Sequence, residues 1–291
     1  MIENRPHLRV DGRDRGRVNP RPRVTVTKDG ASARLYDGDG GLGHIVCVEA
    51  TRWAIETAKR SGSATAVTRN HFHFGAAGFY SRMAAREGCI AIALSSSRGA
   101  PVSGTPLHAG VVGPVSISVP SMSDALPDFM LDGDMPRGGT WTEVDDEEAA
   151  TSSLTLGKYI AQKAKRLGLD AFVHIFGGVL PGIYLDDVQP PDASQWEANQ
   201  GSFIAVFDPS FFMESDVFAA EMKRYIETVQ SMEPWPGTER AELPGGPEAR
   251  QAAQRAREGI PMAPDHVEGL INLARELGVP VLPALLPTSD E

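Results

Sequence analysis

The chain has 291 residues, 41% of them hydrophobic and 23% charged, and carries a formal net charge of −10. That length and apolar fraction suffice for one large or two modest domains with a sizeable core. The negative balance argues against non-specific nucleic-acid binding, which needs a cationic surface. Charge is uneven: residues 1–28 carry eight Lys/Arg against three Asp/Glu, a net of +5, and the rest carry 20 against 35, a net of −15. The basic arm reads as solvated, or as a segment that docks on an acidic partner subunit or an anionic substrate. Cys47 and Cys89 are the two cysteines, both in apolar runs. They read as reduced core residues rather than a disulfide framework. With no apolar leader and no run of membrane-spanning length, a soluble cytoplasmic protein is expected.

In chain order, residues 1–23 read as an extended lead-in. Val24–Thr27 and Ala33–Tyr36 are short strands on either side of an Asp29-Gly30 turn. Asp37–Gly43 is a glycine-rich loop without GxGxxG spacing, so it does not mark a Rossmann unit. Ile45–Ser61 has helical periodicity and stops at Gly62. Ala64–Thr68 is a strand, and the segment Arg69-Asn70-His71-Phe72-His73-Phe74-Gly75-Ala76-Ala77-Gly78-Phe79-Tyr80 follows it. Tyr80–Glu87 is helical. Ile90–Leu94 is a buried strand running into Ser95-Ser96-Ser97, and Val115–Val119 is another strand. Pro127–Ala150 reads as a loop region or shortened subdomain. Leu156–Leu167 is a helix with a cationic face, and Leu169–Val179 is an apolar helix ended by Pro181-Gly182. Asp186–Gln200 is a polar linker, and Ser202–Phe207 is a strand. Ser215–Met232 is an amphipathic helix, Leu243–Gly246 a turn, and Pro247–Glu258 and Pro264–Leu277 close the chain as helices. The alternation of strands and helices argues an α/β sandwich.

Histidine exchanges protons near neutral pH, so the two beside the Gly75 turn are natural acid–base candidates. As alternate residues of a strand they would also point the same way, as two potential metal ligands, but no third ligand stands at a recognisable spacing. The acidic run Asp145–Glu148 reads as solvated, and no Ser-His-Asp arrangement is identifiable.

Four blocks resemble the type-2 malate/L-lactate dehydrogenase family: Gly16-Arg17-Val18-Asn19-Pro20, Asp37–Gly43, His73–Tyr80, and Gly201–Phe211 followed by Leu243-Pro244-Gly245. Their order and spacing are kept over roughly residues 5–280. The resemblance implies a mixed-sheet, non-Rossmann α/β core that binds dinucleotide, of the L-sulfolactate dehydrogenase type. It would span residues 36–230, with a second, mostly helical domain from residues 1–35 and 231–291. It also implies an NAD- or NADP-dependent oxidoreductase, a homodimer, acting on a small 2-hydroxy or 2-oxo acid. His73 takes the place of the family's acid–base histidine. Arg5 aligns with a carboxylate-binding arginine, a task suited to a guanidinium. His71 stands where the family has serine, either on the substrate side, as a neighbour that hydrogen-bonds locally, or as a like charge that perturbs His73. Ser97, Lys165, Gly245 and Gly246 match cofactor contacts.

Three stretches depart from the family pattern. Met1 falls where a substrate-side histidine is expected, so either the protein starts upstream or this wall of the site is reduced. Val111-Val112-Gly113-Pro114 replaces Gly-Thr-Asn-Pro. Asp132-Gly133-Asp134-Met135-Pro136 replaces a longer segment beside the cofactor, and the extra Asp134 would repel a diphosphate. Besides 2-hydroxy-acid dehydrogenase, the resemblance therefore leaves two other readings: a cyclic imine reductase, and a member that has lost hydride transfer and serves as a non-redox enzyme or binding subunit.

Overall fold

A computed structural model describes residues 18–98, 113–134, 168–185, 188, 200–234 and 236–282. Strands β1 (Thr25–Asp29) and β2 (Ala33–Asp37) form a hairpin closed by Gly30 N–H to Ala33 C=O at 2.8 Å. Helix α1 (Gly43–Ser61) leads to β3 (Ser63–His71), and α2 (Ala77–Arg86) leads to β4 (Ile90–Ser97). Then come β5 (Pro114–Val119), β6 (Phe129–Asp134) and β7 (Gln200–Phe207). All seven strands lie in one sheet, ordered β1-β2-β3-β7-β4-β5-β6. β2 and β3 are parallel; every other pair is antiparallel. The mixed α/β sheet expected from the resemblance is therefore present.

The topology positions the functional region. β7 runs antiparallel to both its neighbours, so β3 and β4 end on the same edge of the sheet. His71 pairs with Gln200, and Gln200 with Ser97. Two strand spacings separate the two ends, roughly 10 Å.

Helices α1 and α2 cover one face. Their contact with the sheet is lined by Ala50, Ala54, Ala58, Ala64, Ala66, Ala84, Ala91 and Ala93, with Tyr36, Phe74, Tyr80 and Ile204 as the larger members. Alanine brings helix and sheet backbones close and costs no side-chain entropy. On the opposite face Leu94, Val115 and Val173 pack with Phe172, Phe176 and Phe203. Residues 168–174 are α-helical and continue into a π-turn, Ile175–Val179. This changes the end of the regular helix expected over 169–179. Gly177 lies against β4, where an added Cβ would stand 2.7 Å from the Ser96 amide nitrogen.

Other expectations also shift. β3 runs three residues past Thr68 through an irregular step, with Asn70 at φ 53°. Part of the loop expected at 127–150 is strand β6, paired along β5 as the sheet edge. An edge tolerates Asp132 and Gly133 because one side needs no ladder partner. The helix expected at 156–167 lies outside the described residues.

Helix α3 (Ser215–Gln230) follows a short 3-10 turn, Pro209–Phe211. The chain divides into compact units at Gly246/Pro247. Residues 25–35, expected in a second domain, are strands of the main sheet, and residues 231–246 group with it. The cause is backbone pairing: β2 hydrogen-bonds onto β3 and β1 onto β2, so both satisfy their polar groups within the main sheet. The second unit holds helix α4 (Gly246–Glu258) almost entirely, and α5 (Pro264–Glu276), which has no buried residue.

Candidate active site

The end of β3 and the glycine-rich loop are built against each other. Gly38 and Gly40 donate their N–H groups to the carbonyls of Arg69 and Asn70, at 2.9 and 2.8 Å. Phe72 N–H donates to Gly41 C=O at 2.8 Å, and Gly43 N–H to His73 C=O at 3.1 Å. These amides are spent on the histidine segment and form no phosphate cradle. Asn19, from the lead-in motif, clamps the loop from outside: its side chain donates to Asp39 C=O at 2.8 Å and to the Asp39 carboxylate at 3.0 Å. Asp37 accepts from Asn70 Nδ2 at 2.8 Å and pairs with Arg69 at 3.5 Å, which holds the turn at the strand end.

His71 is fully buried. Its Nδ1–H donates to Phe72 C=O at 2.7 Å, and its Nε2 accepts from Thr68 Oγ1 at 2.8 Å. Thr68 meets Ser202 Oγ at 2.6 Å, and Ser202 meets Cys47 Sγ at 3.2 Å. Burial lowers the His71 pKa to about 4, so the ring is neutral at physiological pH. The substrate-side placement expected for His71 is not what the structure shows: both ring nitrogens are committed inside. It locks the backbone that presents His73, the local hydrogen-bonding alternative.

His73 is exposed, and Gly75 N–H donates to its Nδ1 at 3.0 Å. A neutral imidazole with Nδ1 as acceptor carries its proton at Nε2. The ring takes a second proton at Nδ1 only by giving up the Gly75 bond, so that bond fixes the resting orientation. Gly75 itself needs a left-handed φ of 84°. Beyond it, α2 begins with Gly78 N–H donating to Asp132 Oδ1 at 3.0 Å, and a Cβ on Gly78 would stand 2.3 Å from Asp132 Oδ2. Asp132, in the segment read as shortened, thus closes the α2 N-terminus. The exposed His44 ring lies 6.3 Å from His73, centroid to centroid. His44 has only one mark in the sequence, its place directly after the Gly-Leu-Gly of the loop.

At the end of β4, Ser97 and Arg98 are half-buried. Behind them Ser96 Oγ lies 3.4 Å from His174 Nδ1, and Tyr184 Oη lies 3.1 Å from the same nitrogen. Burial lowers the pKa of His174 and raises that of Tyr184. Gly245, at φ 99°, lies against the start of β6, where a Cβ would stand 2.6 Å from Asp128 C=O. A Cβ on Gly246 would stand 2.6 Å from a Glu242 carboxylate oxygen. Arg5 and Lys165 lie outside the described residues, as do Val111, Val112 and the acidic run 145–148. Among the described residues no group of three His, Cys, Asp or Glu is placed to hold a metal ion, and no helix is long and apolar enough to cross a membrane.

A malate/L-lactate dehydrogenase family model matches residues 4–135 and 138–271. The chain belongs to that family. Malate dehydrogenase of Pyrococcus horikoshii is 29% identical over 93% of this chain and 82% of its own. L-sulfolactate dehydrogenase of Methanothermobacter thermautotrophicus is 26% identical over 93% of this chain and 83% of its own. The solved malate dehydrogenase structure from Pyrococcus horikoshii superimposes with a TM-score of 0.72 at 28% identity, covering 92% of this chain and 80% of that one. This member of the malate/L-lactate dehydrogenase family is an oxidoreductase, and membership implies a nicotinamide cofactor.

The residues present fit such a nucleotide unevenly. The β4 end carries the Ser97 hydroxyl and the Arg98 guanidinium, whose Nη1 donates to Ile183 C=O at 3.5 Å; groups of this kind suit phosphate or ribose oxygens. At Gly245 and Gly246 protein oxygens occupy the space a Cβ would take. Their glycines serve close packing of this turn.

Proposed function

We propose that this enzyme moves a hydride reversibly between a nicotinamide nucleotide and C2 of a small 2-hydroxy or 2-oxo acid. The single observation that supports this is His73: an exposed imidazole on a backbone hydrogen-bonded at Phe72 and His73, with its Nδ1 held by Gly75. When bound, the nucleotide supplies or accepts the hydride. His73 meets the C2 oxygen through Nε2. In reduction the imidazolium, formed when Nδ1 exchanges the Gly75 bond for a proton, gives its Nε2 proton to that oxygen and is left neutral with its proton at Nδ1. In oxidation that ring takes the proton back at Nε2. Ser97 and Arg98 hold the nucleotide on the β4 side, with Lys165 as a further phosphate contact. Arg5 binds the substrate carboxylate. The active form is a homodimer in the reducing cytoplasm, consistent with buried, unpaired Cys47 and Cys89.

The test is a panel of 2-oxo acids with NADH and NADPH, followed by nicotinamide absorbance, in wild type and His73→Asn. Wild type turns over at least one acid. The variant loses about 10²- to 10⁴-fold in kcat while nucleotide affinity stays unchanged. Absence of a thermal shift with either nucleotide overturns the reading.

A further inference from the structure

We propose that His44 is a second substrate-contacting imidazole, which holds the carboxylate of a 2-oxo acid while His73 meets its carbonyl oxygen. This rests on the hydride-transfer reading for the identity of the ligand, and on independent geometry for the site. His44 is the second residue of α1, and its neighbour Gly43 donates its N–H to His73 C=O at 3.1 Å. One backbone hydrogen bond therefore ties the two histidines into the same turn. Both side chains are exposed, with ring centroids 6.3 Å apart and planes inclined by 34°. An imidazole in that position fills no core space.

Gly75 gathers the two rings. Its N–H holds His73 Nδ1, and its missing Cβ leaves room for His44, since an added Cβ would stand 2.6 Å from His44 Nε2. The glycine thus serves the pair as well as the left-handed turn.

The chemistry of a 2-oxo acid matches this spacing. Its carboxylate and carbonyl oxygens sit on adjacent carbons. A hydrogen bond of about 2.8 Å from each ring brackets that O–C–C–O unit. An imidazole N–H donating to an ionised carboxylate makes a charge-assisted bond, stronger than one to a neutral acceptor. The first turn of α1 carries no acidic side chain to compete for His44. The helix amide end favours an anion there as well.

The test uses the full chain with NADH or NADPH bound, and His44→Gln and His44→Ala variants whose melting temperatures match wild type. Loss of a charge-assisted bond predicts a rise in oxo-acid KM of about ten- to a hundredfold with kcat little changed. Oxamate, a non-reducible analogue, is titrated in parallel by calorimetry. Its affinity should fall by the same factor in both variants. Unchanged KM and oxamate affinity overturn the proposal, as does a loss confined to kcat. If wild type reduces no oxo acid, the hydride-transfer reading fails, and the oxamate titration still decides the role of His44. Binding that is lost in His44→Ala supports it, and absence of oxamate binding to wild type overturns it.

Discussion

The ends of β3 and β4 lie on one edge of the sheet, yet different means hold them. At β3 the restraint is backbone: four main-chain hydrogen bonds to the 38–43 loop, with His71 buried beneath. At β4 it is side chain: Ser96, His174 and Tyr184 converge from the strand, the helical residues 168–174 and the turn at 181–184. A proton-transferring group needs placement within a fraction of an ångström, whereas a nucleotide spreads its contacts over many atoms. A backbone lock suits the first task and an adaptable side-chain cluster the second.

Adding one methyl at Gly43 is the strongest way to break the β3 end. A Cβ there would stand 2.6 Å from Phe74 Cβ and 2.7 Å from His71 Nδ1. Gly43→Ala should cost about 1–3 kcal/mol by overpacking. It should also lower kcat/KM roughly a hundredfold by displacing His73. Urea melts and steady-state kinetics check both, and wild-type activity would show that the loop does not set the histidine.

A comparable but pH-gated effect comes from His71. The unfolded chain protonates it near the ordinary 6.5, the folded chain only near 4. Between these values the unfolded state binds more protons, so stability declines as pH falls through that window. The loss reaches up to roughly 3 kcal/mol at about pH 4. His71→Asn keeps a donor for Phe72 C=O but does not titrate, so that part of the slope should vanish from urea melts at stepped pH. An unchanged slope would assign it to other groups.

Tyr184→Phe tests the β4 end and should have the smallest effect. Losing one hydroxyl contact costs about 1 kcal/mol in stability. Nucleotide affinity should weaken several-fold while the pH profile of kcat holds. A shifted pH profile with unchanged nucleotide affinity would dissolve the distinction between the two ends.

Most helices and strands were legible because their periodicity is local: α1, β5 and α3 fall within a few residues of the sequence reading. β6 was hidden because Asp132-Gly133-Asp134 reads as loop, and only pairing with β5 makes it a strand. The site was half legible. His73 stood out by its motif, but nothing in the spacing showed that His71 faces inward while its near neighbour faces out. The irregular step at Asn70 re-aims the strand end. His174 and Tyr184 lie far from Ser96 in sequence and meet it only through the π-turn.

The alanine layer beneath α1 and α2 limits how this protein can drift over generations. Half of its buried positions already hold alanine, the smallest residue a helix tolerates well. A step down to glycine costs about 1 kcal/mol in a helix. A step up forces apart a close contact at about 1–3 kcal/mol. Change is channelled to the opposite face, where Phe172, Phe176 and Phe203 can trade volume among themselves. Compensated swaps should therefore accumulate on the π-turn side, and the layer that carries His44 and His73 should stay almost fixed.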